Sequence, residues 1–379
     1  MGERFRASRK KLLGNVRFFL KKCDIVVMGK AGQELLGFFI RRRRSMKISV
    51  LMPVYNAGAY LYKSIGSILG QTEQDFEIVA VNDGSTDNSL EILESLREED
   101  NRIKIINRDE KGYAVTMNDA LDYARGEYVM NVDPDDWLEP NCFERMLAEM
   151  DDDVDFVKCA FMFELPEGKQ EEYYYADEPI EFCPRMLDVD FKMRFFCSQI
   201  AIWTCLIRRS FIEEHHIRLN PTPGAAYQDT AFIFQINACA DKVRVIPDVL
   251  YHYNKTNANA STASTREPNA PSVEYRWMAD WCVKNPRYGM YVRSVLCKQR
   301  FGSYMWNLRR IKPTDRLEFA MRLQEDFKED WNWIDVRMFS KEEFDIYLIG
   351  KNDPVEMVNL FKNIQNIILK AQSKETKTD

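Results

Sequence analysis

Apolar and polar positions along the chain change character near Lys47. Beyond it, short continuous apolar runs alternate with stretches in which apolar residues recur every three or four positions. Ile48-Ser49-Val50-Leu51-Met52-Pro53-Val54 is the first run, as expected of a strand buried on both faces. Residues 76–81, 103–106 and 128–132 repeat the pattern. Helical spacing covers 60–69, 85–99 (with Ser85, Thr86 and Asp87 as capping residues) and 114–124 between them. This alternation predicts an α/β domain with a mostly parallel central sheet flanked by helices, over residues 47–255.

Further along, helices are expected over 140–150, 210–215 and 229–240. Strands are expected over 155–161, 203–207 and, around Pro247, 243–253. Residues 164–190 are acidic and Tyr-rich and read as a loop or small excursion. Residues 256–272 are rich in Asn, Ser, Thr, Ala and Pro and read as a flexible linker or loop. A helical, aromatic-rich C-terminal region follows over 273–372; its aromatics suit a sugar-binding surface, a lipid-acceptor contact or, as helical spacing favours, ordinary core. Residues 373–379 form a polar tail.

Charge separates the first 46 residues from the rest. Residues 1–47 carry 14 Lys and Arg against 3 Asp and Glu, net +11, whereas the remainder sums to −17 within an overall −6. A basic, partly amphipathic arm on an acidic body points to an acidic membrane surface as the arm's partner, or to a poorly ordered extension. The acidic body argues against nucleic acid. No apolar stretch reaches the roughly 18 residues of a membrane span. The nine cysteines form no CxxC pair, so buried, reduced thiols of a cytoplasmic protein are expected.

Ligands of an open parallel sheet bind beyond the carboxyl ends of its strands. Pro53, Val54, Tyr55 and Asn56 follow the first strand, and Asn82-Asp83-Gly84-Ser85 the second. Asn107-Arg108-Asp109 follow the third, and Asp133-Pro134-Asp135-Asp136 the fourth. Three carboxylates within four residues repel one another, and a divalent cation with a preference for oxygen ligands, Mn2+ or Mg2+, would neutralise them. An isolated cluster of this kind could equally be an acidic turn. Neither a GxGxxG opening a helix nor a GxxxxGK[ST] loop is present, which disfavours dehydrogenases and P-loop enzymes.

The segments 48–56, 81–87 and 133–136, in this order, resemble the family 2 glycosyltransferases of the GT-A fold. The resemblance implies inverting transfer of a sugar from a nucleotide-sugar donor, such as a UDP-sugar, to a glycan or lipid-linked glycan acceptor in surface polysaccharide synthesis. It implies that Pro53, Val54, Tyr55, Asn56 and Asp83 hold the nucleoside. Asp133 would lie near the ribose and share the metal with Asp135, and Asp136 would shape the donor pocket. Asp229, in Tyr227-Gln228-Asp229, matches the catalytic base, and Gln228 stands where relatives carry Glu. Met117 replaces a common Arg, leaving Arg108 and Lys111 as candidates for the pyrophosphate, with Gly112 and Asn118 as further donor-binding positions. His252 matches a position that contacts metal or pyrophosphate in some relatives, although a packing role suits it equally. Gln228 and Met117 keep open a degenerate assembly partner in a glycan-synthesis complex. The intact carboxylates oppose that reading, and the first strand end lacks the Gly-rich loop of a sugar nucleotidyltransferase.

Overall fold

The computed structural model describes residues 46–257 and 267–363. The basic arm up to residue 45, the centre of the 256–272 linker and the polar tail lie outside the described residues. The unit beginning at Met46 is compact and continuous.

The four apolar runs become β1 (Ile48–Val54), β2 (Phe76–Asp83), β3 (Ile103–Arg108) and β4 (Tyr128–Asn131). They pair in parallel in the order β3-β2-β1-β4, with Ile48 opposite both Phe76 and Tyr128. That register sets Val54 beside Asn82 and Asp83 beside Arg108, so the polar strand ends share one edge. Helices α1 (Leu61–Leu69), α2 (Ser89–Glu99) and α3 (Tyr113–Tyr123) make the crossovers. α1 buries Leu61, Ser64, Ile65 and Ile68, the stripe that its spacing predicts.

α2 starts at Ser89 rather than Ser85. The expected capping residues also hold the β1–α1 loop: Asn56 N donates to Ser85 Oγ (3.0 Å), Gly58 N to Asp87 Oδ2 (3.0 Å), and Thr86 Oγ1 to Asn56 Oδ1 (3.3 Å). Asp87 Oδ1 still accepts from Ser89 N (3.0 Å) at the first helical residue.

Beyond β4 the sheet becomes mixed, a departure from the mostly parallel expectation. Its order continues β4-β9-β6-β10-β5, where β5 is Trp137–Leu138, β6 Phe156–Glu164, β9 Cys205–Arg208 and β10 Val243–Asn254. β9 runs antiparallel to both β4 and β6, and β10 runs parallel to β6. β10 shifts register between Val245 and Val249, across Pro247, which cannot donate to the ladder. The 164–190 excursion contributes β7 (Gln170–Tyr173) and β8 (Ile180–Phe182), paired to β6 and β10. Short helices α4 (Cys142–Ala148), α5 (Val189–Phe196) and α6 (Arg209–Glu214) link these strands.

α7 (Gln228–Cys239) is buried at every position except Asp229. Its cover comes from α8 (Ala270–Lys284) and α9 (Pro286–Arg310), which both pack on it. α10 (Arg316–Asp330) and α11 (Lys341–Asn352) complete the region around a core of Tyr275, Tyr304, Phe319, Phe327 and Tyr347. The C-terminal aromatics therefore pack mainly as helical core. Cysteines among the described residues are unpaired and mostly buried.

Candidate active site

The acidic turn after β4 is fastened from below by β10. Asp136 is 1% exposed. Its Oδ2 accepts from Tyr251 Oη (2.6 Å) and its Oδ1 from Asn254 N (2.8 Å). Tyr251 Oη also accepts from Asp133 N (3.2 Å). With both oxygens engaged inside the turn, Asp136 is a strut. Any shaping of a donor pocket by Asp136 would therefore act through the turn that it braces.

Asp133 and Asp135 point elsewhere. Asp133 Oδ1 accepts from Asn131 Nδ2 (3.0 Å) and Asp135 Oδ2 from Asn257 Nδ2 (2.8 Å). Burial, then the charge of Asp135, pushes the Asp133 carboxyl up to about 7; burial also raises Asp135. Asp135 borders a cavity of about 350 Å3, lined also by Lys63, Trp137, Glu164 and Asn254.

On the β2 side, Asp83 is 4% exposed. Its Oδ1 accepts from Arg108 Nε (3.0 Å) and Lys111 N (2.9 Å), and its Oδ2 from Gly112 N (2.8 Å). Asp83 thus shapes the 109–112 loop. Arg108 is held by Asp83, Asp119 and Thr116 Oγ1, so it neutralises Asp83 instead of projecting toward a pyrophosphate. Lys111 is exposed. Pro53 and Val54 are buried in β1, and Tyr55 is half exposed with its hydroxyl 3.4 Å from Glu110 Oε2. Asn56 takes a left-handed φ of 49° and ties its loop to Thr86 and Asp87. Asn118 departs from expectation as well: both ends of its amide bind the Leu219 backbone (2.9 and 3.0 Å).

Gly112 joins the two sides of the cleft. Its φ is 93°, and a Cβ there would meet the Gly224 backbone at 2.9 Å. Tyr113 N donates to Gly224 O (3.0 Å). From Gly224 the chain runs to Tyr227, at φ 68°, and α7 begins. Asp229 lies in the first turn, its Oδ1 accepting from Thr230 N (2.7 Å). Burial raises its pKa, and its charge in turn helps raise Asp133 and Tyr113.

The model of the family described as Glycosyl transferase family 2 matches residues 49–215. The chain is 35% identical over 213 residues to a putative glycosyltransferase EpsH of Bacillus subtilis, covering 54% of this chain and 60% of that protein. It is 31% identical over 221 residues to glycosyltransferase GlyG of Streptococcus pneumoniae, covering 56% of this chain and 72% of that protein. The chain belongs to glycosyltransferase family 2. The structure of S. aureus TarS 1–349 in complex with UDP-GlcNAc superposes with TM-score 0.71 at 18% identity, over 85% of this chain and 92% of that one, which establishes the GT-A fold.

Within this family 2 glycosyltransferase, His252 is not placed to bind a metal. Its Nδ1 lies 2.8 Å from Glu164 Oε1 and its Nε2 2.8 Å from Glu139 Oε1. A metal ligand needs a free nitrogen lone pair, and here both nitrogens face carboxylates. The ring stacks on Trp137, with centroids 5.3 Å apart, and Lys63 Nζ lies over that indole. Among the described residues no three His, Cys, Asp or Glu side chains close around one point, so Asp133 and Asp135 form an open pair.

Asn82, named at the second strand end, and Asn131 each keep a buried amide oxygen without a partner. Trp306 of α9 is 43% exposed and meets Tyr227 edge-on at 6.1 Å. Glu274 of α8 is 1% exposed, and burial, with a contribution from Asp229, pushes it up to about 7. Trp306 belongs to the aromatics for which a sugar-binding surface is one reading, whereas Glu274 carries no signal in the sequence.

Proposed function

We propose that the protein transfers a sugar, with inversion, from a UDP-sugar to a hydroxyl of a glycan or lipid-linked glycan in surface polysaccharide synthesis. The observation that carries this reading is the buried carboxylate of Asp229 at the start of α7, close enough for its charge to act on Asp133 in the acidic turn. The TarS complex with UDP-GlcNAc supports a uridine nucleotide as donor.

In this reading Asp229 takes the proton of the acceptor hydroxyl while that oxygen bonds to the donor's anomeric carbon. The bond from that carbon to the UDP oxygen breaks, and UDP leaves from the opposite face. Burial keeps Asp229 more basic than an exposed carboxylate, which suits proton capture. The 109–112 loop, shaped by Asp83, orients the nucleotide. Trp306 and Tyr227 offer an aromatic wall to a sugar ring on the acceptor side.

Asp133 and Asp135 fit Mg2+ or Mn2+. Both offer oxygen ligands, both are disfavoured as bare anions, and among the described residues neither is paired with Lys or Arg. Bound there, the ion supplies charge neutralisation for the pyrophosphate. Titration calorimetry with UDP, with and without Mn2+ or Mg2+, tests the donor site, and hydrolysis of a panel of sugar nucleotides tests the reaction. Metal-dependent binding and hydrolysis, both lost in Asp135→Ala, are expected; no UDP binding with metal present would overturn the proposal.

The basic arm, residues 1–46, would hold the enzyme peripherally on acidic lipid at the cytoplasmic face of the membrane. Removing residues 1–45 should release the protein from acidic liposomes while donor hydrolysis continues. Unchanged sedimentation with the liposomes would count against it.

A further inference from the structure

Glu274 has no part in the chemistry above, yet it is a buried carboxylate beside the proposed base. Removing a carboxylate from water costs several kcal/mol unless charges or hydrogen bonds replace the water. Among the described residues no Lys or Arg is paired with it. Its Oε1 accepts from Thr222 Oγ1 (2.6 Å) and Asn220 Nδ2 (3.1 Å), and its Oε2 is buried without a partner. Both donors converge on this one oxygen, so Glu274 fixes the 220–222 segment from α8.

The hydrogen bonds around it have a defined direction. Thr222 gives its only hydroxyl proton to Glu274, which leaves its oxygen lone pair for Gln228 Nε2 (3.0 Å). Gln228 Oε1 then accepts from Ala226 N (2.6 Å). One file of bonds therefore runs from Glu274 through Thr222 to Gln228, inside the segment that delivers Asp229. That segment includes Tyr227 at φ 68°, a conformation that persists in a non-glycine residue only where its surroundings fix it.

We infer that Glu274 is a positioning residue of the proposed transfer, holding Asp229 toward the acceptor through Thr222 and Gln228. The inference rests on the reaction proposed above. Besides Glu274 on α8, the titratable groups around Asp229 are Asp133 after β4, Tyr113 on α3 and Tyr227, with Arg310 of α9 near the last. Among them Glu274 is the carboxylate that comes from the C-terminal helices.

The test compares wild type, Glu274→Ala, Glu274→Gln and Thr222→Val for sugar transfer, with UDP affinity and melting temperature measured on each. Glu274→Ala should fold and bind UDP as wild type does. Its kcat should fall about 10- to 100-fold. Thr222→Val should show a similar loss, and Glu274→Gln, whose amide oxygen can accept from Thr222 and Asn220, should recover most of it. Transfer within twofold of wild type in Glu274→Ala would overturn the inference. So would a loss of UDP affinity or melting temperature that matches the loss of kcat. Wild type lacking turnover with every donor would instead refute the proposed reaction, and the role of Glu274 would fall with it.

Discussion

Carboxylates in this cleft differ by what surrounds each, not by sequence spacing. Asp136 is enclosed by Tyr251 and Asn254, Asp83 by Arg108 and two backbone amides, and Asp229 keeps only its own helix turn. Asp229→Asn should therefore leave UDP affinity unchanged and lower kcat by about 10²- to 10⁴-fold, the usual loss of a general base. Steady-state kinetics beside calorimetry separates the two effects. Glu274 also makes a stability prediction. Its folded-state pKa of about 7 lies above the ordinary 4.5, so between those values the folded state holds the extra proton. Stability from this group is present below pH 4.5 and declines as pH rises through 7. Glu274→Gln should remove that decline, making its melting temperature relative to wild type rise from pH 5 to pH 8.

At the level of elements, strand ends and loops set the site more than helices do. The two-residue β5 ties the acidic turn to β10, and Tyr251 of β10 reaches both Asp133 and Asp136. Tyr251→Phe should weaken metal-dependent UDP binding although no ligand contact is removed, and should destabilise the fold by about 1–3 kcal/mol through the unsatisfied Asp136. Gly112 performs the corresponding task between the donor and acceptor loops. Gly112→Ala requires a positive φ and presses a methyl on the Gly224 backbone. It should cost on the order of 1–3 kcal/mol and reduce transfer more than UDP binding, as denaturation and kinetics would show. These loop tasks left little trace in the sequence, because Gly112 and Tyr251 act on partners more than 100 residues away. α2 shows the same limit, since its expected capping residues also hold the β1–α1 loop.

Across the whole molecule, a mixed sheet is joined by a C-terminal helical region. Its helices cover α7 and carry Glu274 and Trp306. Trp306→Ala should raise the acceptor KM and leave donor hydrolysis intact, because the indole is largely exposed, meeting the edge of Tyr227 and the Arg310 guanidinium over its ring. Periodicity of apolar residues determined the β1–β4 half, since a strand buried on both faces has a pattern that local sequence suffices to specify. The order of polar strand ends determined the family and the positions of Asp133, Asp135 and Asp229. Tertiary structure alone decided which carboxylates are struts and which face the cleft, that His252 is held between Glu139 and Glu164, and that Glu274 stands beside Asp229. Burial and hydrogen-bond partners are properties of distant segments brought together, and neighbours along the chain do not encode them.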